Sequence, residues 1–397
     1  MMRTLHRPIV GRRGLAYQVS RIGRTWESFF QPAHKIVLKV PATTSNLGPG
    51  FDSFGLALDM GNRLTVERAE KFSLVVHGEG GEAGGVIAHD AQNLIVRSFA
   101  KIMTMFGSGR DALPFGELPP YRFECHNMVP AQRGLGSSSS ANVLGMAAGL
   151  AMCGKELYSP TVKKQLLQLT ADEEGHADNI SAAIYGGFQV NFRAGGGPNG
   201  SAQWITQRVQ MPHGLHCVLF IPDKPLERDR ARAAMPDHYT KADTVHNIGR
   251  AAMLVNCFAT GQFDALRFAM EDRVHQPYRG RFYPFQPIID AALSAGAHGA
   301  FLSSQGPSVV AICGGSAASG RDVGSDTMSQ FLAEAVSGAM LSEAHRRGFP
   351  GEVHVAMPSE EGLVSSGFAA DGTPMWGAEW QEAQKEAMWS GDAMTAM

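Results

Sequence analysis

The sequence predicts a two-domain α+β protein, and three observations predict it. A chain of 397 residues is longer than one hydrophobic core usually supports. Short strand-like runs alternate with longer helical ones, at spacings that suit hairpins better than a doubly wound parallel sheet. A glycine-rich stretch, Ala194 to Ser201, breaks this pattern near the middle and reads as a hairpin tip or a linker. The expected parts are a basic leader over 1–33, an N-terminal domain over 34–205, a C-terminal domain over 206–363 and a surface tail over 364–397.

The elements follow in order. Ile36 to Val40 is an apolar strand ending at the Pro41 loop, and Leu64 to Glu67 and Phe72 to Val76 have strand composition. Asn93 to Phe106 reads as a helix, and Tyr121 to His126 alternates as a half-buried strand. Asn142 to Met152 is apolar all round, the signature of a buried helix. Ser159 to Ala177 is a further helix, followed by a Gly186-Gly187 turn and a strand from Phe188 to Phe192. In the second half, His216 to Pro222 reads as a buried strand, and Ala242 to Thr260, Asp264 to Arg273 and Pro287 to Ala295 as helices. Gly299 to Leu302 and Val309 to Cys313 form a strand-loop-strand, Gln330 to Arg347 a helix and Glu352 to Ala356 a last strand.

The most informative segment is P-A-Q-R-G-L-G-S-S-S-S-A, Pro130 to Ala141. Gly134 and Gly136 allow a tight turn in which backbone N–H groups face an anion. Ser137, Ser138, Ser139 and Ser140 then open the buried helix, where unpaired N–H donors and the positive end of the helix dipole coincide. Phosphate suits such a place. No Lys follows Gly136, so the segment is not a Walker loop, and it is not G-x-G-x-x-G either.

Two more segments join it: P-A-T-T-S-N-L-G-P-G-F-D-S-F-G-L-A-L, Pro41 to Leu58, and F-L-S-S-Q-G-P-S-V-V-A-I-C, Phe301 to Cys313. In this order the three resemble the signature motifs of the GHMP small-molecule kinases. The N-L-G-P-G-F-D core is most similar to the homoserine kinase branch, as are E-G-H-A-D-N-I-S-A-A-I-Y-G-G-F (Glu174 to Phe188), A-R-A-A-M-P (Ala231 to Pro236), N-I-G-R-A-A (Asn247 to Ala252) and E-D-R-V-H-Q-P-Y-R (Glu271 to Arg279). The resemblance runs from about Lys35 to about Gly362. It implies a ribosomal-protein-S5-domain-2-like α/β domain followed by a ferredoxin-like α+β sandwich. It also implies phosphoryl transfer from ATP, with Mg²⁺, to the hydroxyl of L-homoserine. The alternatives are another GHMP kinase of mevalonate-pathway type and a non-catalytic binding protein of the same fold.

Site roles follow from that resemblance. ATP would lie against Asn93, Pro130, Arg133, Gly134, Leu135, Gly136, Ser137, Ser138, Ser139 and Ser140. Ser140 and Glu174 would hold the metal, with Glu173 as the alternative carboxylate. Asn46, Asp52, Asn179, Arg232 and Arg279 would bind the substrate, Asp52 taking its ammonium and the two arginines its carboxylate. Asn179, His176 and Arg232 would serve catalysis, and no general base is assigned; Asp178 is a candidate for fixing Asn179. The third motif departs from the family's S-G-x-G-P-T by placing Ser304 where the backbone calls for positive φ.

Composition sets bounds on partners and location. The formal net charge of −2 offers no general attraction to nucleic acid or acidic membrane. The five cysteines are scattered without a C-x-x-C, which favours a reducing compartment over disulfides or zinc clusters. No apolar run approaches the roughly 18 residues of a membrane span. A cytoplasmic enzyme is expected, with an organelle as the alternative if the basic leader, with six arginines before its first acid at Glu27, is a transit peptide. A homodimer is compatible with this reading.

Overall fold

The computed structural model describes residues 33–82, 87–108, 113, 114, 117, 120–195, 202–226, 228–315 and 323–377. The leader therefore lies outside the described residues, as does the tail beyond 377. Two sheets organise the chain. The first has eight strands: β1 (Lys35–Ser45), β2 (Phe54–Arg68), β3 (Ser73–Gly78), β4 (Tyr121–Asn127), β5 (Phe188–Ala194), β6 (Gln203–Val209), β11 (Val364–Phe368) and β12 (Pro374–Trp376). The second has four: β7 (Leu215–Pro222), β8 (Gly299–Leu302), β9 (Val309–Gly314) and β10 (Gly351–Ala356).

In the first sheet the order is β12-β11-β1-β2-β4-β3, with β5 also pairing β2 and β6 pairing β5. Only β3–β4 is parallel. Four helices accompany this sheet: α1 (Leu94–Phe106), α2 (Ser137–Met152), α3 (Pro160–Glu174) and α4 (Asp178–Tyr185). Alternation along the strands turns Ile36, Leu38, Leu64, Val66 and Phe123 inward against Phe99, Ile102, Val143 and Leu150 of α1 and α2. The helices α1 and α2 touch closely because α2 offers Gly145 there: a Cβ on it would lie 2.3 Å from the Ile95 carbonyl oxygen.

The second sheet runs β10-β7-β9-β8, all antiparallel. Taken as strands 4-1-3-2 with α9 (Phe285–Ser294) and α10 (Val323–Arg346) as crossovers, this is the expected ferredoxin-like arrangement. Between β7 and α9 stand α5 (Arg228–Ala233), α6 (Lys241–Thr260), α7 (Leu266–Ala269) and α8 (Gln276–Arg279). A further apolar cluster joins the two sheets, packing Ala42, Leu47, Phe54, Leu135 and Phe188 against Leu219, Leu254, Phe258 and Val310. The site lies above this shared core.

Three sequence expectations change and one alternative is decided. β1 does not stop at Pro41 but continues to Ser45, because a register shift between Pro41 and Ala42 accommodates the residue that cannot donate to the ladder. Of the two readings of the 194–201 stretch, hairpin tip and linker, the pairing of β5 with β6 favours the first, although residues 196–201 themselves lie outside the described residues. A boundary at 205 would cut that strand; the passage to the second sheet falls between Val209 and Leu215. The tail is not a surface extension from 364: β11 pairs along β1 from Lys35↔Phe368 to Lys39↔Val364, covering an edge of the first sheet.

Candidate active site

After β4 the chain turns into the phosphate-loop segment. Its base is pinned by Asn62, whose Oδ1 accepts the N–H groups of Met128 (2.9 Å) and Val129 (3.0 Å). Gly136, at φ 74°, is the N-cap of α2 and brings no side-chain cap. The N–H groups of Ser137, Ser138 and Ser139 thus have no intrahelical acceptor, and all three residues line one cavity. Gly136 is needed for packing as much as for access: a Cβ there would meet Thr43 Oγ1 at 2.0 Å.

The cavity's next wall comes from the turn between α3 and α4. Glu174, the last residue of α3, turns inward with a side chain only 2% exposed. It accepts hydrogen bonds from Ser139 Oγ (2.8 Å) and Asn142 Nδ2 (2.7 Å), and His176 Nε2 stands 3.5 Å away. Its neighbour Glu173 points outward to Lys101 in an exposed pair, of a kind worth about 0–1 kcal/mol. The carboxylate facing the cavity is therefore Glu174. Next to it, Asp178 Oδ1 binds His176 Nδ1 (2.7 Å) and accepts the Asn179 N–H (2.8 Å). Burial alone would raise the Asp178 pKa, but the charge and hydrogen bond of His176 prevail and hold it below its usual value. Burial would likewise lower His176, yet Asp178, Glu174 and Asp52 hold its pKa above the usual value.

The third wall joins the first and third motifs. Thr43 Oγ1 donates to Asn179 Oδ1 (2.9 Å), Ser45 Oγ to Ser304 Oγ (2.9 Å), and Asn46 Nδ2 to the Ser304 carbonyl (2.7 Å). Asn46 Oδ1 accepts the Asp52 N–H at 3.0 Å. Asp52 lines the cavity with Arg232 and Arg279. Burial, then the charge of Asp178, raises the Asp52 pKa against the pull of His176, Arg232 and Arg279. Ser304 adopts φ 51°, the left-handed conformation expected where it replaces the motif's first glycine, and its Oγ donates to Asn179 Oδ1 at 3.3 Å. Asn46, Leu47, Asp52, Gln132 and Ser304 are the non-glycine residues of positive φ among those described, and all line or flank this cavity. Strain concentrates where the surroundings hold the backbone against its preference.

Arg279 is held from behind. Its Nη1 donates to the Ser304 carbonyl (2.9 Å) and to His275 Nδ1 (3.1 Å), and its guanidinium lies 5.4 Å from the centre of the Phe51 ring. Arginine can only donate, so His275 Nδ1 is the acceptor and its Nε2–H donates to the Gly48 carbonyl (2.9 Å). Burial pushes the His275 pKa down to about 4, which keeps that neutral form at working pH. Burial also brings Arg279 down to about 10, still charged at neutral pH. Its Nε is buried with no hydrogen-bond partner among the described residues, which leaves one donor of the fork available to an anion.

The GHMP kinases N-terminal domain model matches residues 93–187. A homoserine kinase of Synechococcus is 36% identical over 283 residues, covering 70% of this chain and 84% of the relative. One from Deinococcus radiodurans is 38% identical over 280 residues, at the same coverage. The chain belongs to the homoserine kinase family. The crystal structure of homoserine kinase from Cytophaga hutchinsonii has the same fold, at TM-score 0.66 and 24% identity, covering 85% of this chain and all of that one.

Within this family member, most residues expected at the site do meet in one cavity: Asn46, Asp52, Gly134, Gly136, Ser137 to Ser139, Glu174, His176, Asn179, Arg232 and Arg279. Some do not. Ser140 is 1% exposed and its Oγ accepts from Asn62 Nδ2 (3.2 Å); one helical step of about 100° turns it away and leaves Ser139 beside Glu174. Asn93 caps α1, accepting the Ile95 N–H (3.0 Å) and donating to the Ala88 carbonyl (2.7 Å), so both ends of its amide are engaged away from the cavity. Leu135 is wholly buried in the shared core, and Arg133 Nε binds the Pro222 carbonyl at 2.6 Å. Those two shape the loop without lining the cavity, and Pro130 does not line it either. Sequence reasoning missed Thr43, Ser45 and Asn142. The signal for Asn142 was a polar side chain in an otherwise apolar helix, which must find a partner.

Proposed function

We propose that the protein transfers the terminal phosphoryl group of ATP to the side-chain hydroxyl of L-homoserine, giving O-phospho-L-homoserine on the route to threonine. One observation carries this reading: Asp52, Arg232 and Arg279 line the same cavity as the uncapped first turn of α2. An amino-acid zwitterion calls for a carboxylate at one end and a guanidinium fork at the other, while a triphosphate calls for unpaired N–H donors. Asp52 takes the ammonium, and Arg279 and Arg232 take the carboxylate. Asn46 and Asn179 orient the polar groups of the substrate, and His176, fixed by Asp178, buttresses Asn179.

The donor set beside α2 fits magnesium, because Glu174 and Ser139 offer oxygen ligands of the kind a hard dication takes. When bound there, Mg²⁺ neutralises phosphate charge. The N–H groups of Ser137 to Ser139 hold the phosphate oxygens, and the shared apolar core below excludes water from that side. Transfer through a loose transition state asks for positioning and charge neutralisation more than for prior deprotonation, so a dedicated base is not required.

A coupled assay of ADP release tests the proposal with L-homoserine, mevalonate, galactose and shikimate as acceptors. Turnover with homoserine alone is expected. Turnover with mevalonate but not homoserine would remove the roles of Asp52 and Arg279 as zwitterion clamps.

A further inference from the structure

On the face of the first sheet away from the helices, three potential metal ligands converge. Glu124 and His126 stand two apart on β4 and so share a face, and His77 of β3 is the registered partner of His126 in the parallel pair. Glu124 Oε1 is 3.1 Å from His126 Nε2 and 3.5 Å from His77 Nε2. The two imidazoles stack at 4.5 Å with 19° between their planes. One ligand atom from each of the three residues lies within 4.8 Å of the others. Among the described residues no other group of three His, Cys, Asp or Glu converges in this way.

We propose that His77, Glu124 and His126 form a surface site for a divalent transition metal of the zinc class, which clasps the edge strand β3 to β4. The donor set decides the class. Imidazole nitrogens suit Zn²⁺, Co²⁺, Ni²⁺ and Cu²⁺, whereas Mg²⁺ and Ca²⁺ prefer oxygen throughout. The site is therefore chemically separate from the Glu174–Ser139 pair in the cavity. Spacing agrees: ligands about 2.0–2.2 Å from a tetrahedral zinc sit roughly 3.3–3.5 Å apart, and two of the three separations here already fall near that value. Two strands in fixed register set the backbones, so only side-chain rotations remain to close the third. The fourth position faces solvent, where water can fill it.

The clasp has a structural consequence. Among the described residues β3 ends the sheet order and pairs with β4 alone. A metal bridging the two strands adds a link between this edge strand and its one neighbour in the sheet order. The charged neighbours set the limits. Arg63, opposite His126 on β2, opposes a bound cation, while Arg122 is engaged by Glu67. Metal takes imidazole in its neutral form, so affinity falls as the pH is lowered.

The test uses the full-length protein, stripped with chelator and kept in excess Mg²⁺. Zn²⁺ is titrated by competition with a chromophoric chelator, and melting is followed with and without Zn²⁺. Wild type is expected to bind one Zn²⁺ and to melt at a higher temperature with it. His77→Asn and His126→Asn should each weaken binding at least ~10-fold, since losing a ligand costs no less than losing an outer partner. Both should lose the thermal shift and keep the zinc-free kinase rate. Co²⁺ in place of Zn²⁺ should give visible absorption bands that Glu124→Gln alters. The proposal is overturned if wild type binds Zn²⁺ no more tightly than the variant carrying both His77→Asn and His126→Asn, or if the thermal shift survives in that variant.

Discussion

Asp52→Asn separates substrate recognition from folding. Asparagine tolerates the left-handed backbone as well as any non-glycine residue, and Asp52 sits at φ 55°. The hydrogen bond from its N–H to Asn46 Oδ1 (3.0 Å) involves only main chain on this side, so the substitution leaves it in place. What disappears is the charge facing the ammonium of the substrate. Truncating one partner of a buried charge pair costs about 2–5 kcal/mol, which at 1.4 kcal/mol per tenfold is roughly 30- to 4,000-fold in kcat/KM for homoserine. Stability should move the other way. Burial and Asp178 raise the Asp52 pKa, so its folded form favours the proton. Such a group stabilises the fold below its unfolded pKa and loses that contribution as pH rises through the raised value. At neutral pH the ionised carboxylate thus weakens the substrate-free protein, and Asp52→Asn should melt no lower than wild type. Steady-state kinetics in both substrates, an independent ATP affinity and a melting curve make up the assay. A variant with unchanged homoserine kinetics, or one with ATP affinity reduced as much as homoserine, would refute the reasoning.

Three other outcomes are expected. Glu174→Gln should shift the Mg²⁺ titration to higher concentration and lower the rate on the order of 10²-fold, the scale of one lost electrostatic group, with Ser139→Ala moving the titration the same way and Ser140→Ala leaving it unmoved; an unshifted titration in Glu174→Gln would take the metal role from this carboxylate. His275→Ala should raise the homoserine KM by loosening Arg279 while sparing ATP affinity; equal losses in both would make His275 a folding residue only. Gly136→Val should unfold the loop rather than merely block phosphate, because its Cβ would meet Thr43 Oγ1 at 2.0 Å and φ is 74°; a normal melting temperature with lost activity would argue against this.

The uncapped glycine turn ahead of α2 was legible because its geometry is local. Helix start, glycine turn and serine run are consecutive, and their meaning depends on dipole and dihedral rules that hold for any chain. Ser304 was legible too: a side chain at a glycine position predicted positive φ, and φ is 51°. Ser140 was misread for a reason equally local, since a string of four serines does not state its rotation about the helix axis; the packing of α2 on β1 and α1 does.

The sequence by itself determined the class of fold, the order of the elements and the glycine turn ahead of α2, because periodicity and dihedral rules act over a few residues; most residues of the cavity followed from the resemblance of its motifs to a kinase family. Only the tertiary structure decided which of Glu173 and Glu174 faces inward, that Ser139 is the hydroxyl beside it, that His275 holds Arg279 from behind, and that residues 364–368 complete the first sheet. Those outcomes depend on contacts between residues up to 333 positions apart, as in Lys35↔Phe368. A pairing at that range is fixed by which buried surfaces and hydrogen-bond ladders can be satisfied together, and no short stretch of sequence contains that information.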